Sequence, residues 1–154
     1  MFSQTTEYAL RAMACLAMRP DHLTSAVTLA EQTKVPANYL AKVLQQLAGA
    51  GLIDGRRGVG GGYKLARRAD HIKLLDVIGA VAPVKRIETC PLGLTNHGKN
   101  LCPLHRKTDM AAAAVIEIFG NTTLSDLLTD PEAPKPLCDT NATQQLTVHG
   151  RIVG

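Results

Sequence analysis

The sequence predicts a mainly α-helical fold with one small β-hairpin, a winged helix-turn-helix extended by a long helix in its second half. Three patterns predict it. Two amphipathic segments are separated by a proline-marked turn, a glycine-rich basic hairpin follows them directly, and an apolar, alanine-rich helix lies further on. Composition agrees: hydrophobic residues make up 45% of the 154, yet there are only two Phe, three Tyr and no Trp. The core is therefore aliphatic, of the kind that packs helices.

Each element has its own signal. The first helix spans about Gln4 to Met18, with Leu10, Met13, Leu16 and Ala17 at helical spacing and Arg19-Pro20-Asp21 as its stop. Thr28 and Glu31 have capping-box spacing and predict the start of a short second helix. It stops near Lys34-Val35-Pro36, because proline disfavours helical geometry in the residue before it while suiting a helix start. A third helix runs from about Pro36 to Ala50, with Leu40, Val43, Leu44 and Leu47 forming one buried stripe. That stripe leaves Asn38, Ala41, Lys42, Gln45 and Gln46 facing outward, and Gly49-Ala50-Gly51 ends the helix. A helix pair with a short turn and a polar outer face on its second member is a helix-turn-helix.

Strands at Leu52–Asp54 and Gly62–Leu65 flank a basic hairpin, Gly55 to Gly62, with Arg56 and Arg57 at its tip. A helix from about Leu74 to Val81 is closed by Pro83, and a loop from Lys85 to Cys102 follows. Pro103 opens a long helix to about Phe119, with Gly120 as its stop, and Thr123 caps a last helix, Leu124 to Leu128. From Pro131 the chain is Pro-rich and polar and is expected to be a flexible tail. The chain thus divides into a winged helix-turn-helix at 1–82 and a cysteine-bearing loop at 83–102. The long helix, whose apolar small-residue surface is able to pack closely on another helix, makes up 103–130 with the short final helix, and the tail at 131–154 completes the chain.

Charge placement points to a polyanion. Residues 52–107 carry 11 Lys/Arg against 4 Asp/Glu, a local net of +7, although the whole chain nets only +4. On charge alone the same residues read equally well as a solvated basic face. Double-stranded DNA suits the rest of the pattern. Asn38, Lys42, Gln45 and Gln46 carry amide and ammonium groups able to address base edges in a major groove. Tyr39 is placed to donate to a phosphate or to pack, and Thr28 lies at the head of the second helix. Arg56 and Arg57 suit a minor groove or its phosphates. The glycines at 58, 60, 61 and 62 do not have phosphate-loop spacing and sit between strands, which argues against a nucleotide cradle. No paired carboxylates or nucleophile–histidine signature mark an enzyme. No apolar run approaches the roughly 20 residues of a membrane span, and no signal peptide is visible, so a cytoplasmic location is expected.

Of the four cysteines, Cys15 lies in an apolar helix and reads as core, and Cys138 lies in the tail. Cys90, Cys102 and His105 form a candidate ligand set that needs a fourth donor, either His97 in the same loop or Glu7 in the first helix. The spacing is not a standard zinc pattern, and the same residues also read as two unrelated thiols and a solvated histidine.

Several motifs appear together in one order: Glu7-Tyr8-Ala9-Leu10-Arg11-Ala12; Pro36, Tyr39-Leu40, Val43-Leu44 and Leu47; Gly51-Leu52 with the glycine run to Tyr63 and Leu65; and Leu75-Asp76-Val77-Ile78, Ala80-Val81. Over about Met1 to Leu128 they resemble bacterial regulators related to the iron–sulfur cluster regulator IscR and the nitric oxide-sensitive repressor NsrR. The resemblance implies a homodimer joined through the long helix, with a recognition helix and wing on each DNA half-site. It also implies transcription regulation, mostly by repression. Cluster-binding members of this kind carry three cysteines in the loop plus a non-thiol ligand. Cys90 and Cys102 match the first and third of these, and His105 matches a histidine of IscR-like members. The middle cysteine is replaced by Asn96, beside His97, which leaves a 2Fe–2S centre with mixed ligands as the implied cofactor. Glu7 occupies the place of an acidic residue that reaches the partner's loop in some members, and Arg11 is placed to pair with it. A metal-free thiol switch, a single zinc, a regulator without a sensor and a winged protein-interaction module all remain open.

Overall fold

The computed structural model describes residues 2–94 and 100–137. His97, Cys138 and the tail beyond it lie outside the described residues. In chain order the elements are α1 (Gln4–Ala17), α2 (Ala26–Thr33), α3 (Ala37–Gly49), β1 (Ile53–Arg56), β2 (Gly62–Leu65), α4 (Leu74–Val81), α5 (Pro103–Gly120) and α6 (Leu124–Thr129). A single 3-10 turn at Ala69–His71 precedes α4. The fold is a winged helix-turn-helix: mainly helical, with one two-stranded antiparallel sheet among the described residues.

Helix α1 is the core helix. Ser3 caps it, its hydroxyl accepting the Thr6 N–H at 3.1 Å, a contact worth about 1 kcal/mol. Ala9, Ala12, Met13 and Leu16 are completely buried, and Leu29 from α2, Leu47 from α3, Val77 from α4 and Leu124 from α6 are buried in the same core.

Helix α2 begins one turn earlier than the Thr28–Glu31 pattern predicts. Ser25 is the cap: its hydroxyl accepts the Thr28 N–H at 3.1 Å and shares a hydrogen bond with the Thr28 hydroxyl at 2.8 Å. The reason is tertiary. Thr24 is paired with Tyr63 of β2 through two backbone bonds of 2.9 and 2.8 Å, which hold the chain extended up to Ser25 and let the helix start immediately after it. The turn into α3 passes through Lys34 in the left-handed region at φ 56°. Its N–H returns to the Ala30 carbonyl, while buried Val35 pins the turn to the core.

Helix α3 keeps the predicted stripe, with Leu40, Val43, Leu44 and Leu47 buried. Pro36 and Ala50 are its flanking caps rather than members of the helix. Strand β1 runs two residues beyond the predicted Leu52–Asp54. The Leu52 N–H still bonds the Leu47 carbonyl at 3.0 Å, so Leu52 closes α3 and the ladder starts at Ile53, opposite Leu65. Arg56 therefore ends the strand, opposite Gly62, rather than sitting at the hairpin tip.

Helix α5 includes Gly120, predicted as its stop; Asn121 is the cap. Its C-terminal end is fastened to the winged unit. The Leu74 N–H bonds the Thr122 carbonyl at 2.9 Å and the Leu124 N–H bonds the Ile72 carbonyl at 3.0 Å, making a bridge between Lys73 and Thr123. Phe119 meets Phe2 edge-on, ring centroids 5.2 Å apart. Among the described residues no helix is long and apolar enough to cross a membrane.

Candidate nucleic-acid interface and cysteine loop

Because the apolar stripe of α3 points into the core, Asn38, Tyr39, Lys42, Gln45 and Gln46 are all exposed. Tyr39 is more than a surface phenol. Its ring lies edge-on to that of buried Tyr8, centroids 6.2 Å apart, and the Lys42 ammonium stands 5.9 Å from its own centroid. The Gln4 amide donates to the Tyr8 hydroxyl at 2.7 Å, so a small polar stack running out from α1 orients the middle of the exposed face.

The wing is a tight turn at the end of β1. The Gly61 N–H bonds the Gly58 carbonyl at 3.0 Å, and Gly58 and Gly60 adopt φ values of 93° and 72°, open to glycine at little cost. A side chain at Gly61 would collide with the Arg56 carbonyl. Arg56 and Arg57 are exposed. Neither they nor Lys42 take part in an ion pair among the described residues. Their charges are thus available to phosphates, whose neutralisation supplies much of the affinity of proteins for nucleic acid. Thr28 lies in the first turn of α2, beside the wing glycines Gly60 and Gly61.

In the cysteine loop the structure brings two of the candidate ligands together. Cys102 is the cap of α5, with Pro103 as the first helical residue, and its Sγ lies 3.4 Å from the Nδ1 of His105 on the next turn. Cys90 is buried at the head of a turn closed by the Gly93 N–H on the Cys90 carbonyl at 3.0 Å. Glu7 is on α1, where Arg11 donates to its carboxylate at 2.9 Å. Among the described residues no three of His, Cys, Asp and Glu converge as a metal site. The thiol–imidazole pair has the chemistry of a transition-metal ligand set, and a cluster requires further donors beyond it. Cys15 is a core residue: its thiol donates to the Gln32 side-chain oxygen at 3.0 Å. Burial pushes its pKa up, opposed by the lowering effect of Arg19.

Two residues that shape this region carry no sequence signal. Arg86 grips Asp109 with two bonds of 2.6 Å each, and the Ile87 N–H adds a third to the same carboxylate at 2.8 Å. This clasp fastens the start of the loop to α5 one turn beyond His105. The Asp109 side chain is only 15% exposed. The Arg86 bonds, followed by the Ile87 N–H, hold its pKa down to about 2.

Residues 2–130 match the Rrf2 family, described as iron-dependent transcriptional regulators. A protein of Aquifex aeolicus assigned as an HTH-type transcriptional regulator is 32% identical over 131 residues, 83% of this chain and 91% of that protein. The solved structure of CymR (YrzC), the global cysteine regulator of B. subtilis, superposes with a TM-score of 0.68 at 28% identity, covering 82% of this chain and 95% of that one. The structure of T. potens IscR gives a TM-score of 0.70 at 26% identity, with 86% and 88% covered.

The clasp sets a pH dependence. A carboxylate whose pKa falls from 3.8 to about 2 on folding stabilises the fold above the unfolded value and stops doing so as pH drops through the folded one. Asp109→Asn is expected to melt below wild type at neutral pH, with the gap closing between pH about 4 and about 2. Thermal unfolding across that range checks it, and a pH-independent gap would contradict the role.

Proposed function

The chain belongs to the Rrf2 family of iron-dependent transcriptional regulators, and from that membership we propose that it is a homodimeric repressor whose operator affinity is set at the loop from Cys90 to His105. It is a DNA-binding transcription regulator and not an enzyme. The observation that carries the proposal is the exposed polar face of α3 followed directly by a wing whose arginines have no ion-pair partner among the described residues.

In this reading Asn38, Lys42, Gln45 and Gln46 address base edges. Tyr39 orients Lys42 and faces the backbone, and Arg56, Arg57 and Thr28 bind phosphates or the adjoining minor groove. Helix α5 supports the dimer: none of its 18 residues is buried, and Leu104, Met110 and Ile118 are 70%, 56% and 62% exposed. Covering each such side chain is worth roughly 1.5–3 kcal/mol when burial is complete, and a second copy of α5 is the partner that symmetry provides. Half-sites then lie about 10 base pairs apart, or a multiple of that.

For the sensor, Cys90, Cys102 and His105 supply three donors, with Glu7 or His97 as the fourth. A 2Fe–2S centre bound there would supply a reversible one-electron change and a crosslink of the loop. The Glu7–Arg11 pair does not hold Glu7 back, since an exposed i,i+4 pair is worth only about 0.3–0.5 kcal/mol. The Cys102–His105 contact at 3.4 Å also supports a second reading, a cluster-free thiol switch at Cys102. In both, the affected residue is the cap of α5, close to the Arg86–Asp109 clasp.

Three outcomes test these readings. On a duplex selected by the protein from a randomised pool, Lys42→Ala is expected to cost about 1–3 kcal/mol of discrimination. Arg56→Ala/Arg57→Ala should instead weaken selected and random duplexes alike; full retention of affinity and selectivity by both variants sinks the DNA assignment. Sedimentation is expected to give a dimer that Ile118→Lys converts to monomer, and a wild-type monomer at micromolar concentration rejects the α5 interface. After anaerobic reconstitution, visible absorbance with stoichiometric iron and sulfide should survive Cys138→Ser and be lost in Cys90→Ser. A colourless, iron-free wild type rejects the cluster and leaves the thiol switch.

A further inference from the structure

The turn between α1 and α2 carries two exposed basic side chains, Arg19 and His22, that the DNA-binding assignment above does not use. Arg19 takes part in no ion pair among the described residues. The turn is compact: the Arg19 N–H bonds the Leu16 carbonyl at 3.1 Å and the His22 N–H bonds the Arg19 carbonyl at 3.2 Å. Two residues later Thr24 pairs in both directions with Tyr63, so this turn is stitched edge-on to β2. Gly62 permits that approach, since a Cβ there would stand 2.6 Å from the Thr24 carbonyl. The backbone that carries Arg19 and His22 is therefore held in fixed relation to the wing.

Between turn and wing runs an open groove of about 540 Å³, lined among others by Arg19, His22, Ser25, Thr28, Gly60 and Gly61. Its chemistry is one-sided. It offers a guanidinium, an imidazole and the hydroxyls of Ser25 and Thr28, with buried Thr24 beside them, and no carboxylate lines it; Asp21, adjacent in sequence, is exposed but not part of the lining. Ser25 and Thr28 share one hydroxyl hydrogen between them, which leaves the other free to donate. The Gly60–Gly61 wall has no side chains to obstruct a close backbone approach. Guanidinium and hydroxyl donors around a space of this kind suit a phosphodiester oxygen.

We infer that this groove is a third DNA-contacting surface, in which Arg19, assisted by His22 and the Ser25–Thr28 hydroxyls, holds a backbone phosphate of the strand flanking the groove entered by the wing. The inference rests on the DNA-binding reading above and adds to it one phosphate contact per protomer outside the recognition helix and the wing. It also gives Thr28 its working surroundings. The contact is indifferent to base sequence, so its role is to fix the register of the wing on the duplex.

The test uses the full-length protein and a random-sequence duplex of about 30 base pairs, with binding measured over a range of chloride concentrations. Each phosphate contact contributes about 0.9 to the slope of log affinity against log salt. Arg19→Ala is therefore expected to lower that slope by about 1 per protomer, with unchanged thermal unfolding, and Arg19→Lys should restore most of it. A wild-type slope in Arg19→Ala, while Arg56→Ala/Arg57→Ala lowers it, overturns the groove and leaves the DNA reading standing. Wild-type slopes in both variants overturn the two together. Arg19-dependent binding of inorganic phosphate in calorimetry, beside a wild-type salt slope in Arg19→Ala, assigns the groove to a free anion and likewise rejects the DNA contact.

Discussion

Burial of α1 is the constraint from which the arrangement follows. Ala9 and Ala12 present almost no side chain, so neighbouring helices approach the α1 backbone closely, while Met13 and Leu16 fill the centre with no residual exposure. Helices α2, α3, α4 and α6 and strand β2 all rest on it. Interiors of this density tolerate little displacement, so α3 and the wing are positioned against one rigid reference. The pairing of Thr24 with Tyr63 completes the frame by making the entry to α2 an extra edge of the hairpin. The polar face of α3 and the cationic wing are thus presented by a packed scaffold.

Helix α5 obeys a different rule. It is held at its ends and has no buried residue along its length. The bridge at Lys73–Thr123 and the Phe2–Phe119 contact fasten its C-terminal end, and the Arg86–Asp109 clasp fastens its second turn to the start of the cysteine loop. Cys102 and His105 lie between that clasp and the N-terminus of the helix. Under the proposed function, chemistry at Cys102 acts on the first turn of the element that joins two protomers. That is a short mechanical route from sensor to half-site spacing, and it requires no rearrangement of the α1 core.

Local patterns are readable in the sequence and non-local ones are not. The stripe of α3, the exposure of Asn38, Lys42, Gln45 and Gln46, the Thr123 cap and the Glu7–Arg11 pair all arise within about two helical turns, where spacing dictates geometry. Pattern alone misplaces the start of α2 because Ser25 and Thr28 are both good caps, and the choice between them is made by Tyr63, far away in the chain. It misplaces strand β1 because Leu52 is retained by α3 through the Leu47 carbonyl, a competition that alternation does not reveal. Arg86 and Asp109 are separated by 23 positions, and nothing in either neighbourhood announces the other. The Cys102–His105 contact lies between these cases: i,i+3 spacing at a helix start makes it possible, but the cap conformation of Cys102 is what realises it.

By itself, then, the sequence determined the element types, the faces that α1 and α3 bury, the basic character of the hairpin and the family to which the chain belongs. The elements, faces and charge follow from periodicity and turn chemistry, properties of short segments, while the family follows from several motifs standing in a shared order. Only the tertiary structure decided where α2 begins, that Arg56 ends a strand while Arg57 enters the turn, that Arg19 and His22 share a groove with the wing, and that Arg86 clasps α5. Each of these depends on a hydrogen bond or a shared surface between segments remote in the chain, and such contacts exist only once the apolar face of α1 has drawn those segments together.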